Sequence, residues 1–224
     1  MGRLFEDTML RDRTLVFRDR EDAGSRLADM LVAYKNSSAL ITAIPAGGAA
    51  IGAVIAKKLN LGMELVIVRK IQFPYNTEAG FGAIDPDGEV VLNRVLVRQA
   101  GLRDQEIEDQ TRKAQGLLRR RNRLFRSNRP FPDISGSTVI IADDGLASGY
   151  TMLSSIAFLK RRNPWVIVAA IPTGSALSIK LVLDKVDELY CPNIRTTFPF
   201  AVAEAYENWY DLTDDDVVEI MKGI

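Results

Sequence analysis

One stretch constrains this chain more than any other. It is the apolar run Val139-Ile140-Ile141-Ala142, closed by the adjacent acids Asp143 and Asp144. The small loop Gly145-Leu146-Ala147-Ser148-Gly149 follows, and then an apolar-periodic segment from Tyr150 to about Arg162. A short apolar run without polar alternation suits a strand covered on both faces, and the segment after the loop has helical spacing. In an open parallel sheet, ligands bind beyond the carboxyl ends of the strands. A helix starting behind a Gly/Ser/Thr loop offers free N–H groups and its positive dipole end, which suit a phosphate. Adjacent carboxylates repel a phosphate, but they accept hydrogen bonds from sugar hydroxyls or reach a metal ion. Together these features describe a site for a ribose 5-phosphate. The bland alternative is a strand–turn–helix corner whose acids are merely solvated.

The same stretch resembles the signature of the type I phosphoribosyltransferases: a strand, two acids, then a small loop with Thr-Gly-x-Thr. Here Ser148-Gly149-Tyr150-Thr151 stands at that point, so Ser replaces the first Thr and keeps its hydroxyl. A second motif follows the β-run Ala39 to Ile44. It is Pro45-Ala46-Gly47-Gly48, ahead of a helix expected over Ala49 to Leu59. Two glycines let a backbone approach an anion closely. A third is Arg69-Lys70, at the end of a strand expected over Glu64 to Val68. Arg offers two parallel N–H groups to a phosphate.

The resemblance implies an α/β fold: a mainly parallel sheet of about five strands, covered by helices on both faces, with a small hood built from terminal segments. It implies transfer of 5-phosphoribosyl from phosphoribosyl pyrophosphate to a nitrogen acceptor, with nucleobases the expected class. Asp143 and Asp144 would hold the ribose hydroxyls, and Gly145, Leu146, Ala147, Ser148, Gly149, Tyr150 and Thr151 the 5-phosphate. Ala46, Gly47, Gly48, Arg69 and Lys70 would hold the pyrophosphate. Mg²⁺ is the implied cofactor, bridging ligand oxygens and reaching Asp143 and Asp144 mostly through ligand and water. The segment 71–92, with Pro74, Gly80, Gly82, Pro86 and Gly88, reads as a long loop entering a short strand. The family uses such a loop as a lid, here with Asn76 and with Glu78 among the catalytic residues. The segment from Phe17 through Asp19-Arg20 to Ala23-Gly24 also resembles the opening of a bacterial and archaeal subgroup of this family. Asp22 is the expected N-cap of the helix there.

Composition narrows the remaining classes. Lys+Arg and Asp+Glu are both 29, so no global field favours nucleic acid or membrane. No apolar run of about 18 residues predicts a membrane span, and the charged N-terminus does not read as a signal peptide. The single Cys191 fits a reducing cytoplasm and reads as a buried structural thiol. The absence of His removes imidazole acid–base chemistry.

One domain over 1–224 is expected, with an N-terminal arm at 1–16, a basic helical insertion at 101–129 and a C-terminal hood and helix at 192–224. From Arg112 to Arg129 there are eight Lys/Arg and no Asp/Glu. This run is expected to be a solvated helix, weakened at Gly116, with Arg stems packed on a neighbour at a homodimer interface. The competing function is a non-catalytic sensor of phosphoribosyl pyrophosphate that binds nucleic acid through 112–129. Aromatics in 192–210 fill a small second core or stack a flat base.

Overall fold

The computed structural model describes residues 2–224, the side chains of Thr77 and Glu78 excepted. In chain order the elements are β1 (Arg3–Phe5), α1 (Arg20–Met30), β2 (Leu40–Ala43), α2 (Gly47–Leu59), β3 (Gly62–Leu65), β4 (Arg69–Phe73), β5 (Asn76–Ile84) and β6 (Val90–Leu92). Then come α3 (Arg94–Gln99), α4 (Asp104–Arg126), β7 (Thr138–Ala142), α5 (Tyr150–Lys160), β8 (Val166–Ala170), β9 (Thr173–Ser175), α6 (Ala176–Leu183), β10 (Glu188–Tyr190), β11 (Asn193–Arg195) and α7 (Asp214–Lys222).

Six strands form the central sheet in the order β1-β10-β8-β7-β2-β3, and every pair is parallel. Alternate side chains of each strand serve two different cores. Ile140, Ala142, Val168 and Ala170 join Leu27, Ile51 and Ile55 of α1 and α2 on one face. Val139, Ile141, Ile167 and Ala169 join Met152, Ile156, Ile179 and Val182 of α5 and α6 on the other. Both faces are apolar, so these strands carry no polar alternation. The chain leaves β2 toward β3 and leaves β7 toward β8, in opposite directions along the sheet. The crevice beyond the adjacent ends of β2 and β7 is therefore the topological switch point.

The sheet has six strands rather than about five because the N-terminal arm contributes β1. Phe5 stacks on Tyr190 at 4.4 Å between ring centroids, and the Cys191 N–H donates to the Phe5 carbonyl. Three residues are too few to show a period. The N-cap of α1 is Asp19, which accepts from the Asp22 N–H; Asp22 instead accepts from Arg18 N–H at 3.1 Å. The helix α2 begins at Gly47, two residues before its expected start.

The strand expected over 64–68 ends at Leu65, and Arg69-Lys70 open a new strand. Residues 71–92 are not a long open loop. Strands β4, β5 and β6 form an antiparallel sheet, with Ile71, Phe73 and Phe81 buried. Register shifts between Ile71 and Gln72, and between Gln72 and Phe73, break the period of two that would have revealed it. Helix α4 runs unbroken from Asp104 to Arg126 through Gly116. A single Gly costs about 1 kcal/mol relative to Ala, too little to break a helix held from both ends. Among the described residues, no helix is long and apolar enough to cross a membrane.

This packing predicts the exchange behaviour of the antiparallel sheet. Amides of 69–73 and 80–84 should be protected from hydrogen exchange in the ligand-free protein to the level of β2, because Ile71, Phe73, Phe81 and Ile84 sit in the same core as α1 and α2. Exchange of these amides within the dead time of a mass-spectrometric experiment would refute that.

Candidate active site

At the switch point, the ends of β2 and β7 bring the glycine turn and the acid pair together. A methyl group on Gly47 would overlap the Asp144 carboxylate, and one on Gly48 would strike the Ala142 carbonyl and the Asp143 backbone. Only glycine allows the start of α2 to approach the acids this closely. The Pro45–Ala46 peptide bond just ahead is cis.

The loop after the acids is held from outside. The Leu146 N–H donates to the Thr173 carbonyl at 2.9 Å, and Ser175 N–H donates to the Leu146 carbonyl at 3.1 Å. The Ser178 hydroxyl donates to the Ala147 carbonyl. Gly149 then turns the chain into α5 at φ +81°, a left-handed conformation that glycine adopts without strain. No side chain caps α5 among the described residues, so its first-turn N–H groups remain available. Ala147 and Ser148 are exposed, while Tyr150 and Thr151 are half-buried. Burial pushes the Tyr150 phenol up.

The two acids differ in their surroundings. Asp144 is gripped by Arg20 of α1: Nε and Nη2 both stand 2.9 Å from Asp144 Oδ2. Arg20 is itself buried, 7% exposed. Its Nη1 donates to the Tyr210 carbonyl at 2.8 Å, and its guanidinium lies 3.9 Å over the Trp209 ring. The Tyr206 hydroxyl donates to the Asp144 backbone carbonyl at 2.6 Å. Sequence reading missed Arg20, which lies 124 positions from Asp144. Its local signals were a place in the family-like opening from Phe17 to Gly24 and a position next to a helix start, where a plain surface charge is the default.

Asp143 has no such cation. Its Oδ1 accepts from the Asp144 N–H at 2.9 Å, and the residue is 9% exposed. Burial, reinforced by the neighbouring Asp144 charge, pushes its carboxyl well above the ordinary range. Burial also raises Asp144, with the Arg20 cation pulling against it. The native state thus holds the Asp143 proton more tightly than the unfolded chain does. That stability is fully present below the unfolded value near pH 3.8 and is lost as pH rises through the folded value. Asp143→Asn keeps the acceptor oxygen and removes the charge. Its thermal midpoint should therefore gain on wild type as pH rises from about 4 toward the raised folded value. A gap that does not change with pH would show that Asp143 does not titrate in this way.

The two cations at the start of β4 have other neighbours. Arg69 is half-buried, its Nε is buried without a hydrogen-bond partner, and the charges of Arg121, Asp214 and Arg120 act on it. Burial lowers its pKa first, and Arg121 adds to that. Arg69 therefore joins a cluster on α4 and α7. The Lys70 stem packs against Gly80 across the antiparallel sheet. The Glu78 side chain lies outside the described residues. Much of the basic run is internally paired: Arg120 and Arg121 with Asp214, and Arg126 with Glu64. Cys191 is fully buried, and burial pushes its thiol up.

Of the C-terminal aromatics, Tyr206 is buried beside Phe17, whereas Phe198 is 95% exposed. No group of three or more His, Cys, Asp or Glu side chains among the described residues is placed to hold a metal ion.

A family model described as the phosphoribosyl transferase domain matches residues 18–208. A Mycobacterium tuberculosis H37Rv protein, provisionally named as a phosphoribosyl transferase, is 32% identical over 206 residues. The match takes in 92% of this chain but only 46% of that protein, so the chain spans about half the length of this relative. The crystal structure of TT1426 from Thermus thermophilus superposes with a TM-score of 0.74 at 29% identity, covering 92% of this chain and 98% of that one.

Proposed function

The chain belongs to the phosphoribosyl transferase domain family, and from that premise we propose that it transfers 5-phosphoribosyl from phosphoribosyl pyrophosphate to a nitrogen acceptor. One observation carries this reading: the start of α2 packs against the Asp143–Asp144 pair at the switch point, and the short loop 145–149 leads from that pair into the uncapped start of α5. Two helix N-termini suit the two phosphoryl ends of such a donor, with its ribose diol between them.

In this reading Gly145 to Thr151 bind the 5-phosphate, Asp143 and Asp144 accept from the ribose hydroxyls, and Ala46 to Gly48 receive the pyrophosphate. The C1–O bond to pyrophosphate breaks, and pyrophosphate leaves with the bonding pair. The acceptor lone pair forms the C1–N bond, and the surplus N–H proton passes to water or pyrophosphate. Positive charge develops at C1, so placement and nearby carboxylate charge supply most of the catalysis. Arg20 orients Asp144 and favours its ionised form. Arg69 and Lys70 open β4, and in this reading they turn to the pyrophosphate, Arg69 by leaving its α4 neighbours. The β4–β6 sheet is the proposed cover over C1, with Glu78 on it.

As carboxylate donors, Asp143 and Asp144 would hold Mg²⁺, an ion that one or two carboxylates suffice to bind. Bound there, it would neutralise the leaving pyrophosphate, with Asp143 and Asp144 as the protein's contribution. The pairing of Arg126 with Glu64, and of Arg120 and Arg121 with the one carboxylate of Asp214, favours an enzyme over a nucleic-acid-binding sensor, since it offsets part of the charge of the run. The test is a screen of free bases and amines with labelled phosphoribosyl pyrophosphate and Mg²⁺, reading pyrophosphate release. Release above the hydrolytic background with at least one acceptor is expected. Binding of the donor with no turnover across the panel would favour the sensor.

A further inference from the structure

We propose that the cavity between the 145–148 loop and residues 195–200 takes a flat nitrogen acceptor that carries an acidic group, and that Arg195 selects for that group. This rests on the phosphoribosyl transfer reading of the adjoining loop.

The cavity holds about 320 Å³, enough for a single small ring system. Ala147 and Ser148 form one side, Ser175 at the start of α6 another, and Arg195, Phe198 and Phe200 close it. An occupant would thus lie directly beside whatever the 145–151 loop holds. Arg195 is the one charged residue in the described wall, which contains no Asp or Glu.

Arg195 is 6% exposed, yet its Nε and Nη1 have no hydrogen-bond partner. Its Nη2 donates only to the neutral Thr197 hydroxyl, at 3.2 Å, and stands 3.3 Å from Glu204 Oε2. That oxygen is itself without a hydrogen bond. The pairing with Glu204 therefore leaves most of the guanidinium donors unspent. Buried donors of a cation are rarely left unmade, because desolvation without a partner is costly. A carboxylate or similar acidic group taking the place of the Thr197 hydroxyl would accept from Nη2 in a charge-assisted hydrogen bond between opposite charges, which the neutral hydroxyl does not offer.

Two further features favour the same occupant. The N-terminus of α6 faces the cavity, and its cap Ser175 satisfies only the Ser178 N–H. The remaining first-turn N–H groups add donors and the positive dipole end. Phe198 and Phe200 offer ring faces to a flat body. Donors without acceptors select an acidic partner, and rings select a planar one.

Calorimetry in saturating ribose 5-phosphate tests this with matched probes: orotate against uracil, nicotinate against nicotinamide, and anthranilate against aniline. At least one acid should bind about tenfold or more tightly than its neutral partner, since a site with unpaired donors rejects the analogue that cannot fill them. Arg195→Gln should reduce that ratio to about one. As Arg195 is buried, Leu177→Glu at the cavity mouth is the companion variant. Leu177 is 83% exposed, so the fold should tolerate the change, and the added charge should weaken the acids while sparing the neutral probes.

No preference for any acid, or a preference that survives Arg195→Gln, overturns the proposal. Inorganic phosphate binding as tightly as the acids overturns it as well, by making the cavity a plain anion site. Titration with ribose 5-phosphate alone separates the two levels. If wild type fails to bind it, the phosphoribosyl reading fails; if it binds but no acid is preferred, only the acceptor assignment fails.

Discussion

Asp144→Asn should lower phosphoribosyl transfer by about 30- to 1,000-fold, the range for losing one preorganised electrostatic contact worth about 2–4 kcal/mol. A neutral amide stabilises positive charge at C1 less than a carboxylate does. The substitution also strips the partner from Arg20, which is buried between Trp209 and Asp144. Breaking a buried ion pair by removing one member costs about 3–5 kcal/mol, so the variant should also unfold at lower denaturant. Arg20→Met addresses the same unit from the other side. The double variant should recover part of the stability, because no charge is left buried alone, and none of the turnover. Denaturant midpoints and kcat/KM for the three variants make this a complete cycle. Wild-type turnover in Asp144→Asn would remove Asp144 from the chemistry, and additive stability losses would show that Arg20 and Asp144 are not coupled.

Gly47→Ala should be nearly as damaging, although it changes one hydrogen to a methyl group. The new Cβ would occupy the space of the Asp144 carboxylate, which Arg20 and the Tyr206 contact to its backbone hold in place. Either α2 retreats or the carboxylate is displaced. Overpacking of this kind costs about 1–3 kcal/mol of stability. A displacement near 1 Å within a reacting constellation costs about 100-fold in rate. Shortening the obstacle separates the two effects. Gly47→Ala combined with Asp144→Ala should lose less stability than the two single losses added together, because the clash is gone, and should stay inactive. Full activity in Gly47→Ala would mean that the close approach of α2 to the acids has no bearing on turnover.

The parts of this site that lie close together in sequence were legible. The run Val139 to Ala142 reads as a doubly covered strand because neither face meets water. Two acids, a Gly/Ser loop and a helix start follow in contiguous order, so their spacing is set by local geometry. Thr213 and Asp216 form a capping box at the start of α7. Errors arose where a signal was too short or was broken. The strand β1 has three residues, and the bulges in β4 disguise a sheet rich in glycine and proline as a loop. Gly116 looked like a helix breaker because propensity weighs one residue, while a 23-residue helix is held cooperatively.

By itself the sequence determined the layered α/β architecture, the order of acid pair, loop and helix, and the chemistry those residues offer. Hydrophobic period and turn chemistry are written within a few neighbouring residues, so they survive without the fold. Only the tertiary structure decided which charges meet. It placed Arg20 on Asp144, gathered Arg69 with Arg121 and Asp214, and left the Arg195 guanidinium short of partners beside the 145–148 loop. Those pairings join residues far apart in the chain. Coulombic and hydrogen-bond energies depend on distance and burial in space, which strand order and helix packing set together.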